Sequence, residues 1–158
     1  MTETIAAVAW ALVLGGAGGV LTEIGAWYHG LKKPSFQPPS WLFGPAWTII
    51  LGLAAWAGVL AWRAAPTAAA HTDVILFFAV NGILHLLWSP LFFKWKRPDW
   101  SLIEVVFLWV SVGAMMLGLG SLSSLAGWLI VPYFVWVSFA AVLNRAIVRL
   151  NQPFGHVA

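Results

Sequence analysis

Asn81, His85 and Trp88 stand at i, i+4 and i+7 within one apolar run, so a helix would carry them on a single face. Polar groups at membrane depth are costly unless they are used. Asn81 and His85 can hydrogen-bond across a helix bundle or to a bound molecule, and a neutral imidazole can also ligate a haem iron. A second constellation is WYHGLKKPSFQPPSWLFGPAWT, residues 27–48, where Trp27, Trp41 and Trp47 stand among four prolines. Lys33-Pro34 and Gln37-Pro38-Pro39 cannot continue a helix, because proline fixes φ and has no N–H to donate. Tryptophan favours the membrane–water interface, with its ring buried and its N–H wet. A rigid, aromatic, basic loop beside a bilayer reads in two ways: as an interfacial anchor belt, or as a lid over a pocket for a flat, partly polar molecule.

Other reactive groups are sparse. The sequence has no GxSxG, no HExxH and no phosphate-cradling glycine loop, and the GGAGG run at 15–19 reads as helix packing. It has no cysteine, which excludes disulfides, thiolate metal sites and a cysteine nucleophile. Conventional acid–base or nucleophilic catalysis is not expected. Glu23 and Glu104 read as solvated or paired carboxylates, and Arg145 and Arg149 as side chains that snorkel to lipid phosphates.

The elements that must position these groups follow from composition. The 158 residues are 61% hydrophobic and 8% charged, against about 45–50% and 25% in soluble domains. A water-soluble fold of this size could not bury so much apolar surface, so the chain is read as an integral membrane protein. Apolar segments long enough to cross a ~30 Å hydrocarbon core recur five times, at about 5–25, 43–62, 74–93, 101–119 and 125–150. The first opens after MTET, with an acidic residue and no basic segment, and is expected to be a span rather than a cleaved leader. Alternation of the barrel type is absent, so the expected fold is all-α: one five-transmembrane-helix bundle over residues 1–158, with 26–42 as its first loop.

Charge then sets the orientation. With the N-terminus outside, seven of the eight Lys and Arg fall inside, at Lys32, Lys33, Lys94, Lys96, Arg97, Arg145 and Arg149, leaving Arg63 outside. This asymmetry puts the first loop and the C-terminus in the cytoplasm. It also explains the basic pI as topology, with no nucleic-acid partner. Small residues at helical spacing (Ala11, Gly15 and Gly19; Ala54 and Gly58; Ala114 and Gly118) offer close-approach surfaces.

In order along the chain, WYHGLKKPSFQPPSW (27–41), PAWT (45–48), LLWSPLFF (86–93) and PYFVWVSFAAVLN (132–144) resemble the TspO/MBR family of tryptophan-rich sensory proteins, in its bacterial form. That family includes the mitochondrial translocator protein. The resemblance implies a five-helix bundle with a pocket closed by the first loop, binding tetrapyrroles such as protoporphyrin IX and haem. It implies roles in their transport, in sensing, in regulation of tetrapyrrole metabolism, or in light-dependent porphyrin breakdown. Carried over, Trp27, Tyr28, Pro38, Pro39 and Trp41 belong to the lid, and Trp47 and Trp136 are the pocket tryptophans of any photochemistry. His85, Trp88 and Ala140 line the cavity, with Asn81 beside them. Porphyrin or haem is expected as ligand rather than as an obligatory cofactor, and the partners implied are membrane lipid and a second copy in a homodimer. A bacterial cell membrane is the expected location.

The chain departs from the family pattern in informative places. The usual W-x-P-P of the lid is Phe36-Gln37-Pro38-Pro39, and the tyrosine that often follows W-T is Leu51. The third span usually carries Gln and Asn four apart before W-S; here they are Asn81 and His85, so a titratable ring replaces an amide. A sterol partner is less expected, because the aromatic of the proposed motif is missing from Leu143-Asn144-Arg145. Lys32 and Lys33 read either as topology signals or as partners for propionates.

Overall fold

The computed structural model describes residues 1–154. Among them five helices are long and apolar enough to cross a membrane, and no strand forms. In chain order the elements are α1 (Thr2–Leu21), α2 (Ala26–Gly30), a 3-10 turn (Ser40–Leu42), α3 (Phe43–Ala64), α4 (Ala68–Ser89), a π turn (Pro90–Lys94), α5 (Pro98–Leu122) and α6 (Ser124–Asn151). The protein is an all-α integral membrane bundle.

The five spans form a ring in the order α1, α3, α6, α5, α4, closed most thinly between α4 and α1. Alanine and glycine let the helices approach. Ala54, Ala57 and Ala61 of α3 are fully buried, and Gly58 faces Phe78, whose ring a Cβ would meet at 2.7 Å. Gly118 accommodates the Phe77 ring in the same way. The tightest seam joins α5 and α6, where a Cβ on Gly127 would lie 2.8 Å from the Gly120 Cα. A single residue, Ser123, suffices to connect these two helices, and its hydroxyl accepts the Ala126 N–H to cap α6. Large apolar side chains such as Leu12, Ile83, Phe107 and Leu117 point outward, as lipid-facing residues must.

Several boundaries differ from the sequence reading. Residues 68–73 are helical rather than loop, because an alanine-rich turn is capped by Thr67, whose hydroxyl accepts the Ala70 N–H at 3.1 Å. Conversely, α1 stops at Leu21, four residues short of the expected 25, and Thr22 is extended. After Pro90 the chain widens into one π turn, closed by Trp95 N–H donating to the Pro90 carbonyl at 2.9 Å. The turn buries Leu91, Phe92 and Phe93 together.

Candidate functional site

A cavity of about 460 Å³ opens among the spans beneath the first loop, a size within the ~300–1,000 Å³ of small-molecule sites. Its wall is mostly aromatic and aliphatic. Trp47 and Leu51 come from α3, His85 and Trp88 from α4, Val105 and Leu108 from α5, and Trp136, Ala140 and Asn144 from α6. The floor against α1 is made by Gly15, Gly18 and Gly19. The GGAGG run therefore does not seal a helix–helix seam: a Cβ on Gly16, Gly18 or Gly19 would meet nothing within 4 Å. These glycines keep the cavity wide.

The structure brings Tyr28, Trp47, His85, Trp88, Trp136 and Ala140 onto one cavity wall. Other expected site residues lie elsewhere. Trp27 packs edge-on to Phe92, outside the cavity wall. Pro38 and Pro39 shape the loop without reaching the wall, and Trp41 is 71% exposed. Asn81 is fully buried and reaches the cavity only through another residue.

That residue is Tyr133, itself fully buried behind the cavity-lining His85. Its hydroxyl donates to Asn81 Oδ1 at 3.1 Å and lies 3.0 Å from His85 Nδ1. Asn81 Nδ2 donates in turn to Ser111 Oγ at 3.0 Å, and Ser111 donates to the Leu108 carbonyl at 2.7 Å. One relay thus ties α4, α5 and α6 together at membrane depth. Around it Trp47 stands edge-to-face with His85 at 4.7 Å, with Tyr133 at 5.8 Å and with Trp136 at 6.2 Å.

Four polar atoms on cavity-lining residues are buried without a hydrogen-bond partner among the described residues: Gln37 Oε1, Trp88 Nε1, Trp136 Nε1 and Asn144 Oδ1. Two are donors and two are acceptors. Buried polar atoms are normally paired, because leaving one unpaired costs about 1–3 kcal/mol. All four belong to side chains that line the cavity, from the first loop, α4 and α6, with the polar atoms themselves turned away from its open space.

Sequence reasoning did not single out Tyr133 or Asn144 as site residues, although the signal was present. Tyr133, Val137, Ala140 and Asn144 fall at i, i+4, i+7 and i+11, one stripe of α6. Glu104 corrects an expectation outright. It is neither solvated nor paired: 5% exposed, with no partner for either oxygen among the described residues. Helix packing against α6 decided its burial, as it did for Ser101, whose Oγ accepts from Asn144 Nδ2 at 2.9 Å.

The loop above the cavity is held on two sides. Asn151 at the end of α6 accepts the Lys32 N–H at 2.7 Å and donates to the Lys32 carbonyl at 2.8 Å. Within the loop, Lys33 Nζ donates to the Tyr28 carbonyl at 2.7 Å and sits 4.4 Å from the Tyr28 ring centroid. Lys33 is committed to the loop itself. Gln37 Nε2 donates to the Tyr28 hydroxyl, and Tyr28 rests on Phe93 of the π turn.

A family model described as the TspO/MBR family matches residues 6–150. Protein CrtK of Rhodobacter capsulatus is 37% identical over 155 residues, covering 96% of this chain and 95% of its own length. Tryptophan-rich protein TspO of Chlorobaculum tepidum is 37% identical over 145 residues, 89% of this chain and 90% of its own. Translocator protein of Homo sapiens is 29% identical over 127 residues, 80% of this chain and 75% of its own.

Proposed function

Since the chain belongs to the TspO/MBR family, we propose that its cavity binds a tetrapyrrole such as protoporphyrin IX or haem, in the service of tetrapyrrole transport, sensing or regulation. The observation that carries this reading is a cavity of about 460 Å³ walled by the rings of Trp47, Trp88 and Trp136. A planar apolar macrocycle suits the tryptophan faces. The loop held by Asn151 would cover the bound ligand. The charge bias supports a cytoplasmic position for that loop, in a bacterial cell membrane. A homodimer belongs to the same reading.

Titration of the detergent-purified protein with protoporphyrin IX, followed by tryptophan quenching and the Soret band, tests it. Saturable binding is expected, weakened about 3- to 10-fold by Trp47→Phe, the worth of one aromatic contact. Absence of saturation would overturn the proposal. A second reading is light-driven oxidative porphyrin breakdown, favoured by the 6.2 Å approach of Trp47 and Trp136 on the wall. Illuminating the same complex in oxygen separates the two: loss of the Soret band faster than for free protoporphyrin IX, and slowed by Trp47→Phe and Trp136→Phe, is expected only from this reading.

A further inference from the structure

We propose that His85 is an axial ligand: its Nε2 coordinates the metal of a metallated tetrapyrrole, so that the cavity distinguishes metallated from free-base macrocycles. The inference rests on the tetrapyrrole reading above and goes beyond it in assigning an atom and a preference.

The relay behind His85 fixes the tautomer. Its far end is the Leu108 carbonyl, which can only accept, so the Ser111 hydroxyl donates there and must accept from Asn81 Nδ2. Asn81 Oδ1 is then the acceptor for the Tyr133 O–H. With its one proton spent on Asn81, Tyr133 can only accept from the imidazole, 3.0 Å away, which puts the ring proton on Nδ1. An uncharged ring so held carries its lone pair on Nε2. Nε2 makes no hydrogen bond among the described residues, and the ring lines the cavity. Edge-to-face contact with Trp47, at an interplanar angle of 89°, limits its rotation. Donation from Nδ1–H is also what makes an imidazole a better metal ligand.

The donor count selects the kind of metal. No group of three His, Cys, Asp or Glu side chains that could hold a bare ion occurs among the described residues. A single imidazole suffices only for a metal that brings its own ligands, as a porphyrin does with four equatorial nitrogens. In the free base the central N–H bonds lie in the ring plane and point at one another, so an axial lone pair gains little there. Coordination forms one dative nitrogen–metal bond and transfers neither proton nor electron.

The test compares ferric haem, zinc protoporphyrin and free-base protoporphyrin IX on the wild-type chain and on His85→Asn, which keeps a polar group of similar size. The ratio of metallated to free-base affinity is expected to fall at least 10-fold in the variant. An imidazole-ligated Soret and resonance Raman signature is expected in wild type, lost in His85→Gly and restored by added imidazole. Tyr133→Phe, which acts through the ring, is expected to keep ligation and, in the haem complex reduced to the ferrous state, to lower the iron–nitrogen stretching frequency. An unchanged affinity ratio, or an imidazole signature that persists in His85→Gly, would overturn the axial role and leave the tetrapyrrole reading standing. Failure of all three ligands to bind would overturn both.

Discussion

The amide of Asn81 works in both directions at full burial, accepting from Tyr133 and donating to Ser111. Replacement by leucine keeps the branched shape and removes both bonds, leaving the fully buried Tyr133 hydroxyl with His85 alone and the Ser111 hydroxyl without its donor. Asn81→Leu should lower stability by about 1–2 kcal/mol, between the small average worth of membrane hydrogen bonds and the cost of an orphaned polar group. Thermal unfolding in detergent checks it. The sequence showed Asn81, His85 and Trp88 as one face, yet a periodicity cannot say which of three residues meets the cavity. The structure splits them: His85 and Trp88 line it, while Asn81 stands behind Tyr133. Telling them apart required Tyr133, which lies 52 positions away from Asn81 in the chain.

Among the elements, the first loop owes its position to a helix that ends far along the sequence. Asn151 makes two bonds to the backbone of Lys32, which tie the loop to α6 beside the edge-on packing of Phe36 against Phe139. Asn151→Ala should speed ligand escape about 10-fold, the equivalent of one to two neutral hydrogen bonds, with a smaller effect on capture. Stopped-flow dissociation of protoporphyrin IX measures it. The loop's prolines and tryptophans were legible as a non-helical, interfacial segment, and the spans were legible as apolar runs. The clasp was not, because nothing in NQP at 151–153 marks a side chain that will bond the backbone of residue 32. Helix ends were misplaced where local chemistry overrode hydropathy, at the Thr67 cap and at Thr22, which donates to the Gly18 carbonyl at 2.7 Å.

For the whole molecule, the five-span count puts the start of α1 and the end of α6 on opposite faces. The ion pair of Glu3 with Arg63, 3.1 Å, marks the first face, and the Lys32–Asn151 contact marks the other. The absence of cysteine makes single-thiol mapping clean. Lys96→Cys should be labelled by an impermeant maleimide only from the cytoplasmic side and Ala65→Cys only from outside; the reverse pattern would invert the orientation drawn from the charges. The ring of helices also bears on how the chain is made. Leu14 alone of α1 is buried, and its Trp10 indole finds an acceptor only in the Phe78 carbonyl of α4. Because α1 is made before α3 and α4, its indole must wait in lipid for that acceptor. The helix can wait at little cost, since its inner face is mostly glycine and alkane. The seam that closes the ring between α1 and α4 is thus completed across a span made in between.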